Sequence, residues 1–414
     1  PISTPLYSSA ASDVYKRQKM NKFIFIFLFL FSCSKTKFES PLFNDGTQYP
    51  RLAVTQDGGL LMSWYEQIDS VNWSINWSEF QNNQWSQSKS ITSGKDFFVN
   101  WADFPSIYHF GSNSIAAHWL ERSGSGTYDY DVKVVTSNNR GKTWSSPQTP
   151  HNDGKLGEHG FLSFYNDIYN DLGMIWLDGR NMSSDHSSHG YGSMSLYQTT
   201  LNSKDGLIPE TKLDGRVCEC CPTSAIRTKN SLVLAYRNRS ESEIRDIYII
   251  HCTKEKCDEP YPVNNDNWKI AGCPVNGPML ASSEDNVAIV WYTAPNNEPM
   301  VNIAFSNDEG ASFDTPIRLD LSKPIGRVDL TWISPSEVIA SWIESAEKTT
   351  NILATIISKN GNVSPARIIS EIQPGRVSGY PQMEKVNDQV MFAWTELEKE
   401  SIIKTKWFAI SSFR

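Results

Sequence analysis

"LLMSWYE", residues 60–66, is a short apolar run that ends in Trp64 and reaches an acid, Glu66, two positions later. The pattern recurs as "IAAHWLE" (115–121), "GMIWLD" (173–178), "LVLAYRN" (232–238), "VAIVWYT" (287–293), "VIASWIE" (338–344) and "MFAWTE" (391–396). The seven aromatic positions are 51 to 60 residues apart. Each run has another apolar segment ahead of it, such as "YPRLAV" (49–54), and a third behind it, such as "YDVKVVTS" (130–137). All but the last continue into a fourth. Four short strands in an evenly repeated unit are the signature of a β-propeller blade. The count predicts an all-β propeller of seven blades, with six the alternative.

The seventh unit stops after "IIKTKWFAI" (402–410), while "KFESPL" (37–42) precedes the first. Pairing of this segment with residues near 405–410 would supply the missing strand and leave the ring without a free edge. Residues 34–414 then form a single domain.

The chain has 414 residues, 14 Trp, 16 Tyr and 19 Phe, and a formal net charge of −8. That balance, with no long basic run, argues against nucleic acid as a partner. Residues 20–33, "MNKFIFIFLFLFSC", carry a nine-residue apolar run, Phe23–Phe31, too short to span a bilayer. It ends in "LFSC", which resembles a bacterial lipobox. This implies export, lipidation at Cys33 and a location in the cell envelope, with membrane contact through the lipid only; separately, the chain is expected to be a monomer. Residues 1–19 precede that leader without an initiator Met and read as upstream read-through.

Two turns, "SNNRGKTW" (137–144) and "SNDEGASF" (306–313), resemble the Asp-box of the sialidase superfamily. The resemblance spans 37–414 and implies a propeller whose active face lies opposite these turns. It also implies three arginines on a substrate carboxylate, a Tyr nucleophile activated by a Glu, and an Asp acid/base. Arg51 in "YPRLA" and Arg237 in "LAYRNRS" match two of the arginines. The other positions depart: the Glu falls near Cys220 and Cys221, the third arginine near Met300, and the Tyr near Arg327, while Tyr380 lies one unit further on.

The face implied to be active gathers Arg51, His159, Arg180, Arg237, Arg239, Arg245 and Arg327 as candidate ligand-binding residues. Tyr380, Asp178 and Glu66 are the candidate catalytic groups. An arginine-rich mouth suits an anionic glycan or glycoconjugate. The acids after Trp recur in five units, so they also read as repeat chemistry, and the acids near Arg237, Arg239 and Arg245 could neutralise them. Two classes of function stand: a carbohydrate-active enzyme of glycosidase type, and a non-catalytic module that binds glycan or protein.

Cysteines 218, 220, 221, 252, 257 and 273 remain after Cys33. An even number in an exported chain points to disulfides: Cys252 with Cys257, and Cys273 with one of Cys218, Cys220 or Cys221, with no cofactor. The alternative is a zinc or copper site built from His159, Cys220 and Cys221.

Overall fold

A computed structural model of the chain describes residues 39–182, 192–202 and 204–414. The leader, Cys33, residues 1–19 and most of the loop that follows Arg180 lie outside them. The described chain is a seven-bladed β-propeller, one antiparallel sheet per repeat, in sequence order. No helix among the described residues is long and apolar enough to cross a membrane.

The opening pattern has a plain physical origin. Strands Leu172–Asp178 and Leu232–Arg237 are buried at every position. They lie second in their blades, covered on both faces by neighbouring blades, so their sequence is continuously apolar rather than alternating. The acid after the aromatic residue caps its indole N–H. Trp119 donates to Glu121 at 3.3 Å, Trp176 to Asp178 at 2.9 Å, Trp342 to Glu344 at 2.9 Å and Trp394 to Glu396 at 2.8 Å. Blade 5 has Thr293 in place of the acid, and Trp291 donates to Asp266 instead, at 2.8 Å. In blade 4 the Tyr236 hydroxyl takes the indole's place, on Asp214 at 2.5 Å. A buried donor needs an acceptor, and six of the seven blades supply one; among the described residues the buried Trp64 indole of blade 1 finds none.

The two related turns share one hydrogen-bond pattern. The amides of Gly141 and Gly310 donate to the Ser137 and Ser306 hydroxyls at 2.8 and 2.9 Å. Those of Thr143 and Ser312 donate to Asn139 and Asp308 at 2.9 and 3.0 Å. Both glycines have positive φ, +71° and +86°, and a Cβ at Gly141 would lie 2.1 Å from the Trp77 ring of blade 1. The residue before each glycine reaches back one blade. Arg140 binds Glu79 and Asp57 of blade 1, both at 2.7 Å, and Glu309 accepts from Asn230 and Thr228 of blade 4.

Closure differs in detail from the expected ladder. The last sheet has three strands, ending with Ser401–Ala409. Residues 39–43 run beside it in irregular conformation, the Ser40 hydroxyl meeting that of Thr405. The Gly46 amide donates to the Ser401 carbonyl at 2.8 Å, and Phe43 packs edge-on against Trp64. Among the described residues, single contacts and an aromatic plug close the ring where a fourth strand was expected.

Candidate functional site

The inner strands of all seven blades line a central channel of about 530 Å³. These are Thr47–Val54, Ser106–Gly111, His159–Asn166, Ser224–Arg227, Met279–Ser283, Pro324–Ser334 and Gln382–Val386. Where these strands start, Ala102, Asp103, Phe161, Asn276, Arg327 and Tyr380 are all buried. Where they end, Val54 is 43% exposed, and Ser282, Trp332 and Lys385 are partly exposed. The open end is therefore the end that carries the two related turns. This corrects the expectation of a ligand mouth on the opposite face. There Trp101 stacks on Tyr380 at 6.0 Å, and the Arg327 guanidinium lies over Trp101 at 4.4 Å, filling the space.

Arg51 lines the channel, and among the described residues its guanidinium makes no hydrogen bond or ion pair. It acts at longer range on Asp329, Glu384 and His118. The Asp329 carboxylate accepts the amides of Leu330 and Met383, at 2.8 and 2.6 Å. Burial still raises its pKa to about 6. Glu384, which accepts from the Thr331 hydroxyl at 3.1 Å, is raised further, to about 8, by burial and then by the Asp329 charge. Burial and then Arg51 push His118 down to about 3, so it is a neutral ring hydrogen-bonded to Ser106 at 2.6 Å. Asp103 accepts the Phe161 amide at 2.6 Å and is raised by burial to about 8. The channel thus holds a free cation beside one carboxylate and two carboxyls that stay protonated at neutral pH.

Apart from Arg51, the ligand-binding arginines expected from sequence are occupied. Arg237 is 1% exposed and donates to three backbone carbonyls: Asn276 at 2.8 Å, Arg245 at 2.6 Å and Tyr292 at 2.6 Å. Arg327 binds the Ser378 hydroxyl and the carbonyls of Gly379 and Gly375 at 2.9 to 3.1 Å. Arg239 and Arg245 both pair with Glu219 and Glu243, so that loop is internally neutralised. Arg180 forks onto Asp178 at 2.6 and 2.7 Å and onto Glu210 at 2.5 Å.

The expected catalytic trio is not assembled. The Tyr380 hydroxyl donates to the Val275 carbonyl at 2.5 Å, and burial raises its pKa. Asp178 is taken up by Arg180 and Trp176. Glu66 accepts from Asn44 and Asn76, fastening the N-terminal segment to blade 1. Sequence reasoning missed Glu384, which lies in an inner strand with no motif around it.

His159 is fully buried and stacks on His151, ring centroids 3.7 Å apart and planes 2° from parallel. Asp131 and Asp153 lie on opposite edges of this pair at 3.1 to 3.7 Å. In stacked rings the nitrogen lone pairs run parallel and do not converge on one ion. His159 groups with these acids and not with cysteine, which corrects the mixed His–Cys metal set. Cys252 and Cys257 form a disulfide across the blade 4 hairpin. Cys218, Cys220, Cys221 and Cys273 are free thiols, so the expected bridge from Cys273 to the trio is not formed.

No protein-family model and no curated protein matches the chain. Its fold does find counterparts. A Hadza microbial sialidase superposes with a TM-score of 0.52 at 12% identity, over 84% of this chain and 75% of that one. The fold is sialidase-like. An α-L-arabinofuranosidase of Fusarium graminearum aligns over 91% of this chain and 98% of its own at 14% identity, TM-score 0.47. NanB sialidase from Streptococcus pneumoniae aligns over 86% and 84% at 10% identity, TM-score 0.45. At such identities the likeness is one of architecture, and the activity of this propeller has to be argued from its own residues.

Proposed function

We propose that the chain is a carbohydrate-active propeller that takes the acidic end of a glycan into its channel, with Arg51 on the carboxylate and Glu384 as proton donor. The unpaired Arg51 guanidinium carries the reading. A partly buried cation without a partner is costly, and a planar fork matches a carboxylate. Protonated Glu384 can give its proton to a departing glycosidic oxygen. Asp329, ionised at neutral pH, offsets the positive charge that develops on the sugar and accepts a proton from the attacking water.

Calorimetric titration with uronic- or sialic-acid-terminated oligosaccharides, against neutral ones of equal length, tests the binding step. Acidic glycans should bind selectively, and Arg51→Ala should cost about 1.5–3 kcal/mol, the scale of a hydrogen bond to a charged group. Equal binding of neutral glycans, or no effect of Arg51→Ala, would sink the proposal. Product analysis decides the chemistry: Glu384→Gln should keep binding and abolish cleavage. Binding with no cleavage by the unaltered protein selects the binding module, for which the two amides already held by Asp329 speak.

Export belongs to the same reading, since the Cys252–Cys257 bridge suits an oxidising compartment. Metabolic labelling with an alkyne fatty acid should mark the chain and be lost in Cys33→Ser; unchanged labelling would refute the anchor.

A further inference from the structure

The segment Cys218–Glu219–Cys220–Cys221 follows the outer strand of blade 3 and leads to the inner strand of blade 4, on the sealed end of the propeller, beside Tyr380. Its three sulfurs lie within 4.8 Å of one another, Cys218 being 2.8 Å from Cys221 and 3.9 Å from Cys220. Cys218 and Cys221 are buried, Cys220 is partly exposed, and the exposed Cys273 lies near enough to act on the Cys220 thiol. The backbone fixes the turn, since the Cys218 amide donates to the Arg237 carbonyl at 2.9 Å. Four thiols from two blades thus meet at one place, two inside the protein and one open to solvent.

We propose that Cys218, Cys220, Cys221 and Cys273 form a thiolate site for one soft d10 metal ion, zinc(II) or copper(I). Sulfurs bound at about 2.3 Å to one tetrahedral ion stand about 3.8 Å apart. The Cys218–Cys220 separation already fits, Cys221 has to move by about 1 Å from Cys218, and Cys273 has to close in on the other three to complete the set. Three convergent sulfurs go beyond what one disulfide uses. The surroundings also favour charge on the Cys218 sulfur. Arg245, clamped by Glu219 and Glu243, points an N–H at the Cys218 sulfur from 3.4 Å. A thiolate accepts that bond, whereas a disulfide sulfur carries no charge to attract it. Binding replaces each thiol S–H by a metal–sulfur bond and releases the proton to solvent. No electron transfer is needed when the ion arrives as zinc(II) or copper(I). Cys273 and Cys220 give the ion its way in. The site stands apart from the channel, so its test and that of the glycan proposal fail independently.

The experiment uses the full chain, reduced and desalted without oxygen. Zinc(II) is added in competition with a chromophoric chelator, and copper(I) separately in competition with bicinchoninate. Uptake of one ion per chain tighter than micromolar is expected. Residue-resolved alkylation should show Cys218, Cys220, Cys221 and Cys273 protected by the ion and Cys252 and Cys257 unaffected. The tighter of the two ions identifies the cargo. Cys220→Ser and Cys221→Ser should each weaken binding more than tenfold, and the protection map on the unaltered protein serves if either variant fails to fold. Failure of the reduced chain to take up either ion overturns the proposal. So does uptake unchanged by both substitutions together, or Cys218–Cys221 and Cys220–Cys273 disulfides in never-reduced protein whose reduced form binds no metal.

Discussion

Arg237 donates through Nε to the carbonyl oxygen of Asn276, 2.8 Å away, and so ties the second strand of blade 4 to the segment that opens blade 5. Its other two nitrogens bind the carbonyls of Arg245 and Tyr292, and its plane faces Trp268 at 4.9 Å. Removing the side chain leaves three buried carbonyls without donors. Arg237→Ala should lower stability by about 3–5 kcal/mol. Urea unfolding measures it; a change below about 1 kcal/mol would show that water replaces the guanidinium at no cost.

Acid pKa values raised by folding set the pH dependence. Glu384 and Asp103 stand at about 8 in the folded chain and near 4 when unfolded. The folded state therefore holds more protons between those limits, and stability falls as pH rises from about 4 to about 8. Melting temperature should drop from about pH 6.5 to pH 8, above the range in which His118, lowered to about 3 by folding, adds the opposite slope. Glu384→Gln, which mimics the protonated acid, should flatten that drop, with its advantage growing towards pH 8. Parallel curves for the two proteins would contradict the assignment.

Gly141→Ala combines a left-handed backbone with a Cβ driven into Trp77. The conformational term is about 1–2 kcal/mol and the overpacking term about 1–3 kcal/mol, so a total loss of about 2–5 kcal/mol is expected. Chemical denaturation checks it, and Trp77→Leu in the same chain should recover the overpacking part alone.

The Cys252–Cys257 bridge closes a short loop, its cysteines five residues apart. Chain-entropy arguments give such a loop about 2 kcal/mol. The Cys252→Ser, Cys257→Ser double variant should lose about that much in a denaturant melt and keep its four free thiols. Loss of half the protein's stability would mean that the hairpin organises more than blade 4.

The propeller was legible because its strand pattern is enforced seven times by the same burial and, in four blades, by the same acid-to-indole cap. Glu121, Asp178, Glu344 and Glu396 look alike in sequence and do the same job in the fold. The arginines were misread for the opposite reason. Arg237 and Arg327 bind backbone carbonyls, which every residue carries, so no neighbouring letter distinguishes them from an arginine awaiting a ligand. Glu384 gave no signal because its raised pKa comes first from burial and then from Asp329, 55 positions earlier in the chain. The cysteine cluster did carry a mark that was passed over: Cys218 and Cys221 stand at the two-residue spacing of soft-metal and redox pairs.

The backward reach of Arg140 and Glu309 gives the ring a direction in time as well as in space. A ribosome delivers the chain from its N-terminus, so Asp57, Glu79, Thr228 and Asn230 have already emerged when these clasps arrive. Neither clasp has to wait for its receiver. The Gly46–Ser401 bond and the Ser40–Thr405 contact belong to the one seam whose two sides are made at opposite ends of synthesis. That seam is the last to form, and in a chain released early it is the first to be missing.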